Sequence, residues 1–103
     1  MENRRYEPKA IDTRAVEIPK ELEALTETLA RNTHEVWGAS RLARGWKWGP
    51  VRDDILKHHP NLVSYEELTD EEKDYDRHTS METIKVILSL GYEITPRNDR
   101  EGF

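Results

Sequence analysis

The chain has 103 residues, so a single domain is expected, and its charged residues (36%) slightly outnumber its hydrophobic ones (35%), which leaves material for only a thin core. Its formal net charge is -5, which argues against general binding of nucleic-acid polymers because such binding needs a basic face. The sequence contains no cysteine, which excludes disulfides, thiol nucleophiles and cysteine-ligated metals.

The N-terminal part of the chain predicts an extended arm and gives no sign of a targeting signal. Its first six residues lack the apolar centre of a signal peptide, and no apolar stretch of the sequence reaches the ~20 residues needed to cross a bilayer. We therefore expect a cytoplasmic protein without a membrane partner. Residues 1–17 show no helical period and are predicted to form the arm.

A long helix is predicted to begin at Pro19 and to end at Arg44, with Gly45 as its left-handed stop. Its apolar residues recur at spacings of three, four and seven, which indicates one buried face. At about 100° per residue, Trp37 lies at the shoulder of this face and His34 points away from it. The predicted face consists of Leu22, Leu25, Leu29 and Val36.

The segment 45–66 is rich in glycine and proline, which predicts loops. A short helix is expected over 52–58. It would end before Pro60, because the residue that precedes a proline disfavours helical geometry. The runs 46–48 and 62–65 are each short enough to be one strand of a small hairpin-like pair.

Two pairs of residues in the C-terminal part have the spacing of a capping box. Thr69 and Glu72 form the first pair, and Thr79 and Glu82 form the second. Two helix starts so close together predict a short helix, a bend near His78 and then a second helix.

The second of these helices is expected to end at Gly91, and residues 95–103 are predicted to form a polar tail. Its predicted buried residues are Met81, Ile84, Ile87 and Leu88. The fold class that follows is mainly α: two principal antiparallel helices plus short helices, with a loop-rich middle that has room for a short β pair.

Histidine and acid patterns give no strong sign of a metal or catalytic site. His58 and His59 are adjacent and so point in different directions, and no zinc-site spacing fits. Asp53 and Asp54 are explained more simply by helix capping and ion pairs. Because the sequence also lacks nucleophile and phosphate-loop motifs, we expect no enzyme, no cofactor and no bound metal. If the chain were an enzyme, Asp53, Asp54 and His34 would be its acid–base candidates.

All three tryptophans lie between residues 37 and 48, interleaved with charged residues. Trp46 and Trp48 alternate along a predicted strand, and for these two we favour a small core under the loops. For Trp37 two interpretations stay open: a core residue, or a platform on which a planar ligand stacks. The basic residues that could meet phosphate oxygens beside it are Arg41, Arg44, Lys47 and Arg52.

Two elements of the sequence are specific when they occur together: Asn-x-His-Glu-x-Trp at 32–37 and Gly-Pro-Val-Arg-Asp-Asp at 49–54. Through these elements the chain resembles the ryanodine receptor repeat, or RyR domain, over about residues 6 to 94. The similar segments occur in the same order as in that family. The type resembled is a stand-alone single repeat of the kind found in bacteria and phages. The similar segments are 6–8, 11–13, 29–37, 45–54, 59–63 and 82–92.

The resemblance implies a cytosolic, mostly helical module without channel activity. In the channels the repeats occur in tandem, and one pair holds an adenine nucleotide between tryptophans, of which one matches Trp37. Because this chain carries a single repeat, the same two-tryptophan clamp would need a homodimer. The expected function is therefore a non-catalytic ligand-binding or regulatory module for an ATP- or ADP-ribose-type nucleotide, and the alternative is a protein–protein interaction or scaffold module.

In the predicted site, Trp37 stacks on the base of the nucleotide, while Arg41 and Arg52 neutralise its phosphates. The full set of predicted ligand-binding residues is Trp37, His34, Arg41, Trp46, Arg52, Asp53 and Asp54.

Overall fold

A computed structural model describes residues 4–97, and within this range the fold is mainly helical with two long helices and a short strand pair. The predicted fold class is thereby confirmed. The elements, in chain order, are α1 (Lys20–Glu23), α2 (Thr26–Ala43), β1 (Lys47–Trp48), β2 (His58–His59), a 3-10 helix (Tyr65–Glu67) and α3 (Asp70–Ser89).

Residues 4–19, which include the described part of the predicted arm, contain no helix or strand and are mostly exposed. Thr13 is the exception: it is buried, and its hydroxyl donates a hydrogen bond of 2.8 Å to Glu82 Oε1. This bond ties the arm to α3. The predicted arm residues 1–3 and tail residues 98–103 lie outside the described range, and the division into arm, domain and tail stays a prediction.

The helix predicted to run unbroken from Pro19 is interrupted at Leu25. Pro19 does precede α1, but Leu25 N–H donates to the carbonyl of Leu22, three residues back, so the regular pattern stops. The hydroxyl of Thr26 bonds the carbonyl of Glu23 at 2.6 Å, which satisfies a carbonyl at the end of α1 and lets the chain restart as α2. Leu25, predicted to be buried, is 43% exposed.

The buried face of α2 differs from the predicted one. Val36 is 61% exposed, whereas Ala30 is fully buried and His34 is 5% exposed. At about 100° per residue, Ala30, His34, Trp37 and Arg41 fall within about 60° of one another. Because α2 packs through this face, the prediction that His34 points away from the buried side is wrong.

The C-terminal end of α2 follows the prediction. Gly45 has a φ of +89°, its N–H donates to Leu42, and the next N–H, of Trp46, donates to Arg41. These two bonds form a Schellman motif, which needs a left-handed residue where the glycine stands. The chain therefore turns back towards the helix, and Trp46 comes to lie beside Arg41.

The short helix predicted over 52–58 is wrong, because this segment forms a tight turn. Asp53 and His58 exchange two backbone hydrogen bonds of 2.9 Å across the base of the turn. The backbone N–H groups of Ile55 and Leu56 both donate to Asp53 Oδ1 at 2.9 Å. The side chain of Asp53 thus accepts hydrogen bonds from two backbone N–H groups of the turn that would otherwise be unpaired.

The strand pair is parallel and does not form a hairpin. Lys47 pairs with His58 and Trp48 pairs with His59. The prediction of a strand in 46–48 is confirmed, but its predicted partner, 62–65, is wrong. That segment instead leads into the 3-10 helix, whose capping box involves Ser64.

α3 is one continuous helix, so the predicted bend near His78 is wrong. The capping box predicted at its start is present, since Glu72 N–H donates to Thr69 Oγ1 at 3.2 Å and Thr69 N–H donates to Glu72 Oε1 at 3.0 Å. The second pair, which begins at Thr79, lies inside the helix, where backbone hydrogen bonds already satisfy the N–H groups.

The two long helices run antiparallel, as predicted. Thr26, at the start of α2, contacts Met81 in the second half of α3, whereas Trp37 lies opposite Glu72 in the first turn of α3. Ile84 is buried, and the other predicted core residues of α3 are half-buried. Gly91 follows the helix with a φ of +95°, as expected for its stop. The central cluster contains Ala30, Tyr65 and Leu68, with Val63 packed against it.

A polar network joins α2, the 3-10 helix and α3. The hydroxyl of Tyr65 donates to Glu27 at 3.1 Å, and Arg77 Nη2 donates to the same carboxylate at 2.6 Å. Arg77 also binds Asp74 at 2.7 Å. Hydrogen bonding from Arg77 lowers the pKa of Glu27 to about 2. This network fixes the spacing of the two long helices on one side of the core.

Candidate functional site

A cleft of about 570 Å³ opens between the second half of α2 and the first half of α3. Its size is within the usual range for small-molecule sites, about 300–1,000 Å³. The α2 wall consists of His34, Trp37 and Arg41, and loop residues Arg52 and His59 lie beside it.

Trp37 lies at the centre of the α2 wall and is half-buried. His34, one turn earlier, stacks on it with ring centroids 5.6 Å apart, and His59 meets it edge-on at 4.9 Å. These neighbours fix the plane of the indole. The part of Trp37 that they leave uncovered lines the cleft.

Arg41 lies between two indoles. Its guanidinium carbon is 5.6 Å from the ring centroid of Trp37 and 4.6 Å from that of Trp46. Both contacts have cation–π geometry, which is stabilised by the negative face of the ring. Trp46 itself does not line the cleft, but it holds a cation that does.

His34 has one unused hydrogen-bonding atom. Its Nε2 lies 2.7 Å from the carbonyl oxygen of Val63, and since a carbonyl can only accept, Nε2 must donate. Within residues 4–97, the other ring nitrogen, Nδ1, has no hydrogen-bond partner. In the neutral ring this nitrogen is an acceptor, and His34 is one of the residues that line the cleft.

The loop side contributes a second arginine. Arg52 lines the cleft and forms an ion pair of 2.8 Å with Asp54, and this hydrogen bond lowers the pKa of the Asp54 carboxyl. Asp54 and Asp53 do not line the cleft. Burial lowers the pKa of His59, and the charges of Arg52 and Arg41 lower it further.

The α3 wall was not predicted from the sequence. It consists of Glu71, Glu72, Tyr75 and Asp76. The last three follow Glu71 by one, four and five residues, so all four share one helix face. The hydrogen bond from Thr69 N–H lowers the pKa of Glu72. The repeated spacing of four was the available signal, although the sequence does not show which acids face α2.

Asp76 differs from the other acids of this wall. It is half-buried, and burial raises its pKa, whereas the charge of His34 acts to lower it. Within the described residues its carboxylate has no hydrogen-bond or ion-pair partner. Asp76 is therefore a partly desolvated acceptor that lines the cleft.

The structure brings together four of the seven predicted site residues, His34, Trp37, Arg41 and Arg52, in one cleft. It places Trp46 behind Arg41, and it places Asp53 and Asp54 in the neighbouring turn. Contact of any of the seven with a ligand stays a prediction. The small core expected for both Trp46 and Trp48 is wrong for Trp48, which is 55% exposed.

Residues 4–97 contain neither a candidate metal site nor a candidate membrane span. No group of three or more histidine, aspartate or glutamate residues in this range could hold a metal ion. No helix in the same range combines the length and the apolar character that a membrane span requires.

Fold and cleft together define a small, mainly helical domain whose two long helices enclose a cleft with one basic and one acidic wall. The sequence matches the family model described as RyR domain over residues 6–96. This match spans most of the chain, so the chain belongs to the RyR domain family.

Proposed function

We propose that this chain is a non-catalytic ligand-binding module and that its cleft binds an adenine nucleotide or a related phosphorylated nucleotide, such as ATP or ADP-ribose. The observation that carries the proposal is the presence of Trp37, Arg41 and Arg52 on one cleft of about 570 Å³. A half-buried indole offers a flat apolar contact, and two guanidinium groups offer paired donors for phosphate oxygens.

In this mode the base packs against the uncovered part of Trp37, and the phosphates lie towards Arg41 and Arg52. Stacking on an aromatic side chain is worth about 1–3 kcal/mol per base. The two indoles on either side of Arg41 restrict its side chain in advance, which lowers the entropy lost on binding.

Both walls of the cleft belong to one chain, so this mode encloses a ligand without a second copy. A homodimer with two facing Trp37 side chains stays a prediction, and light scattering with and without ATP would test it. Location in the cytoplasm also stays a prediction.

The direct test is calorimetric titration with ATP, ADP-ribose and cyclic AMP. We expect Trp37→Ala to weaken binding by about 5- to 150-fold, which corresponds to the loss of about 1–3 kcal/mol of stacking. Trp48→Ala is the matched control, because it removes an indole that is 55% exposed and lies outside the cleft.

Because Trp37 is half-buried, its removal could also loosen the fold, so Arg52→Gln supplies a second probe at an exposed residue of the cleft. Binding that is weakened by Arg52→Gln at unchanged thermal stability would support the proposal. If none of the three nucleotides binds, or if Trp37→Ala binds as tightly as Trp48→Ala, the proposal is wrong.

A protein–protein interaction module is the second candidate, and the turn at 53–58 is the observation in its favour. Ile55 is 93% exposed and Leu56 is 61% exposed, although Asp53 holds the backbone of both residues in place. Rigid, exposed apolar side chains are suited to an interface. A partner protein that is lost with Ile55→Ser but retained with Trp37→Ala and in excess ATP would favour this function.

A further inference from the structure

We propose that the α3 wall recognises the vicinal hydroxyl groups of the ligand's ribose, with Asp76 as their acceptor. This inference rests on the proposed nucleotide function and assigns a role to the wall opposite Trp37. It identifies the ligand class as a ribonucleotide whose 2′ and 3′ hydroxyls are both free.

Asp76 is half-buried on the α3 wall and has no hydrogen-bond or ion-pair partner among the described residues. A carboxylate can only accept hydrogen bonds. Partial burial removes part of the hydration of Asp76, and no donor among the described residues replaces it. A ligand that donates to both oxygens would compensate for this desolvation. Two adjacent hydroxyl groups on a ring provide two such donors within reach of one carboxylate, and an acidic residue is a common partner of ribose hydroxyls.

Charge is distributed unevenly across the cleft, with acids on one side and arginines on the other. Glu71 and Glu72 lie beside Asp76 on the same wall, so this side repels phosphate. Arg41 and Arg52 lie on the other side and attract it. A nucleotide placed with its phosphates near the arginines therefore directs the neutral, hydroxyl-bearing part of its sugar towards α3.

His34 contributes a second group to the cleft. His34 Nδ1 has no partner in residues 4–97, and its ring stacks on Trp37. His34 and Asp76 line the same cleft, so the surroundings of Trp37 offer acceptors to a ligand that carries donors. This pattern fits a nucleoside, whose sugar and base both donate, better than a simple polyphosphate.

The experiment compares the affinities of ATP, 2′-deoxy-ATP and 3′-deoxy-ATP for the wild type and for Asp76→Asn by competition titration. For the wild type we expect ATP to bind about tenfold more tightly, or better, than either deoxy analogue, because a hydrogen bond to a charged group is lost. In Asp76→Asn the ratio should fall to about 1–2, since an amide has one acceptor oxygen in place of two.

Asp70→Asn is the matched control, because it removes the same charge from the same helix at an exposed residue outside the cleft. This variant should keep the preference of the wild type for ATP. Asp76→Asn should fold, because it replaces a desolvated charge with a neutral group of similar size. A thermal midpoint no lower than that of the wild type would show this.

Equal binding of ATP and both deoxy analogues by the wild type would overturn the inference and leave the proposed function standing. Persistence of the full preference in Asp76→Asn would also overturn it, because another group would then recognise the ribose. If the wild type binds none of the three nucleotides, the proposed function itself fails.

Discussion

The position of the Arg41 side chain at the cleft is set by two aromatic neighbours. Its guanidinium is in contact with Trp37 on its own helix and with Trp46, which the Schellman turn after α2 brings back. Each contact contributes about 0.5–2 kcal/mol. Trp46 therefore influences the cleft through Arg41, although it does not line the cleft itself.

Two glycines of this region allow a matched prediction about stability. At Gly49 an added Cβ would lie 2.5 Å from Cβ of His58, so Gly49→Ala must push β1 and β2 apart, at a cost of about 1–3 kcal/mol. At Gly38, inside α2, the nearest atom would be Leu62 Cδ2 at 4.0 Å, so Gly38→Ala should gain about 1 kcal/mol of helix propensity. Chemical denaturation of both variants measures the two effects, and a Gly49→Ala variant as stable as the wild type would refute the first.

At the level of elements, the ends of the helices are set by local hydrogen bonds. Thr69 begins α3 through a reciprocal capping box, and the left-handed glycines Gly45 and Gly91 follow α2 and α3. Thr79 has the same spacing to an acid as Thr69 but lies in mid-helix. The pattern alone therefore marks a helix start only where backbone N–H groups are otherwise unpaired.

This difference between the two threonines can be measured. Thr69→Ala should lower the free energy of unfolding by about 1 kcal/mol, because Glu72 N–H loses its side-chain acceptor. The corresponding fall in thermal midpoint is about 4–8 °C for a domain of this size. Thr79→Ala is the control and should leave stability unchanged or slightly raised, because alanine is the better residue inside a helix. Equal losses from the two variants would favour two separate helices and contradict a continuous α3.

The accuracy of sequence-based prediction in this fold follows the range of the forces involved. The capping box at Thr69 and the glycine stops depend on neighbours in sequence, and they were predicted correctly, whereas the second helix start predicted at Thr79 was wrong. The turn at 53–58 was mistaken for a helix because Asp53 accepts from Ile55 and Leu56 as a helix cap would. The buried face of α2 was also wrong, because the break at Leu25 and the packing against α3 decide it.

The candidate site likewise has one half that the sequence could predict and one half that it could not. Its basic and aromatic half could be predicted, because Trp37, Arg41 and Arg52 stand close together in the sequence and their residue types suit a planar anion. The α3 half could not, because the chain has 21 acidic residues and only helix packing selects the few that face the cleft. Asp76 is among these, and only the three-dimensional structure shows that it has no hydrogen-bond or ion-pair partner within residues 4–97.

For the whole molecule, the network around Glu27 takes the place of a large apolar core. The described residues include only five buried hydrophobic side chains, and none of the large side chains is fully buried. Glu27 joins Tyr65 of the 3-10 helix to Arg77 of α3. Hydrogen bonds to a charged group are stronger than those between neutral groups, so this carboxylate is well placed to hold the elements together.

The stability of the domain should therefore depend on pH in the acid range. The pKa of Glu27 is about 2 in the folded protein, below its ordinary value of 4.5, so its contribution is complete above about pH 5 and is lost as the pH falls towards 2. Asp76, whose pKa is raised, acts in the opposite direction.

We expect the thermal midpoint of the wild type to fall between pH 5 and 2, and that of Glu27→Gln to start lower and fall less. Glu35→Gln, on the exposed side of α2, controls for the loss of a charge and should follow the wild type. If Glu27→Gln instead retains the full acid dependence, other carboxylates must hold the helices together, and the network around Glu27 is not what fixes the walls of the cleft.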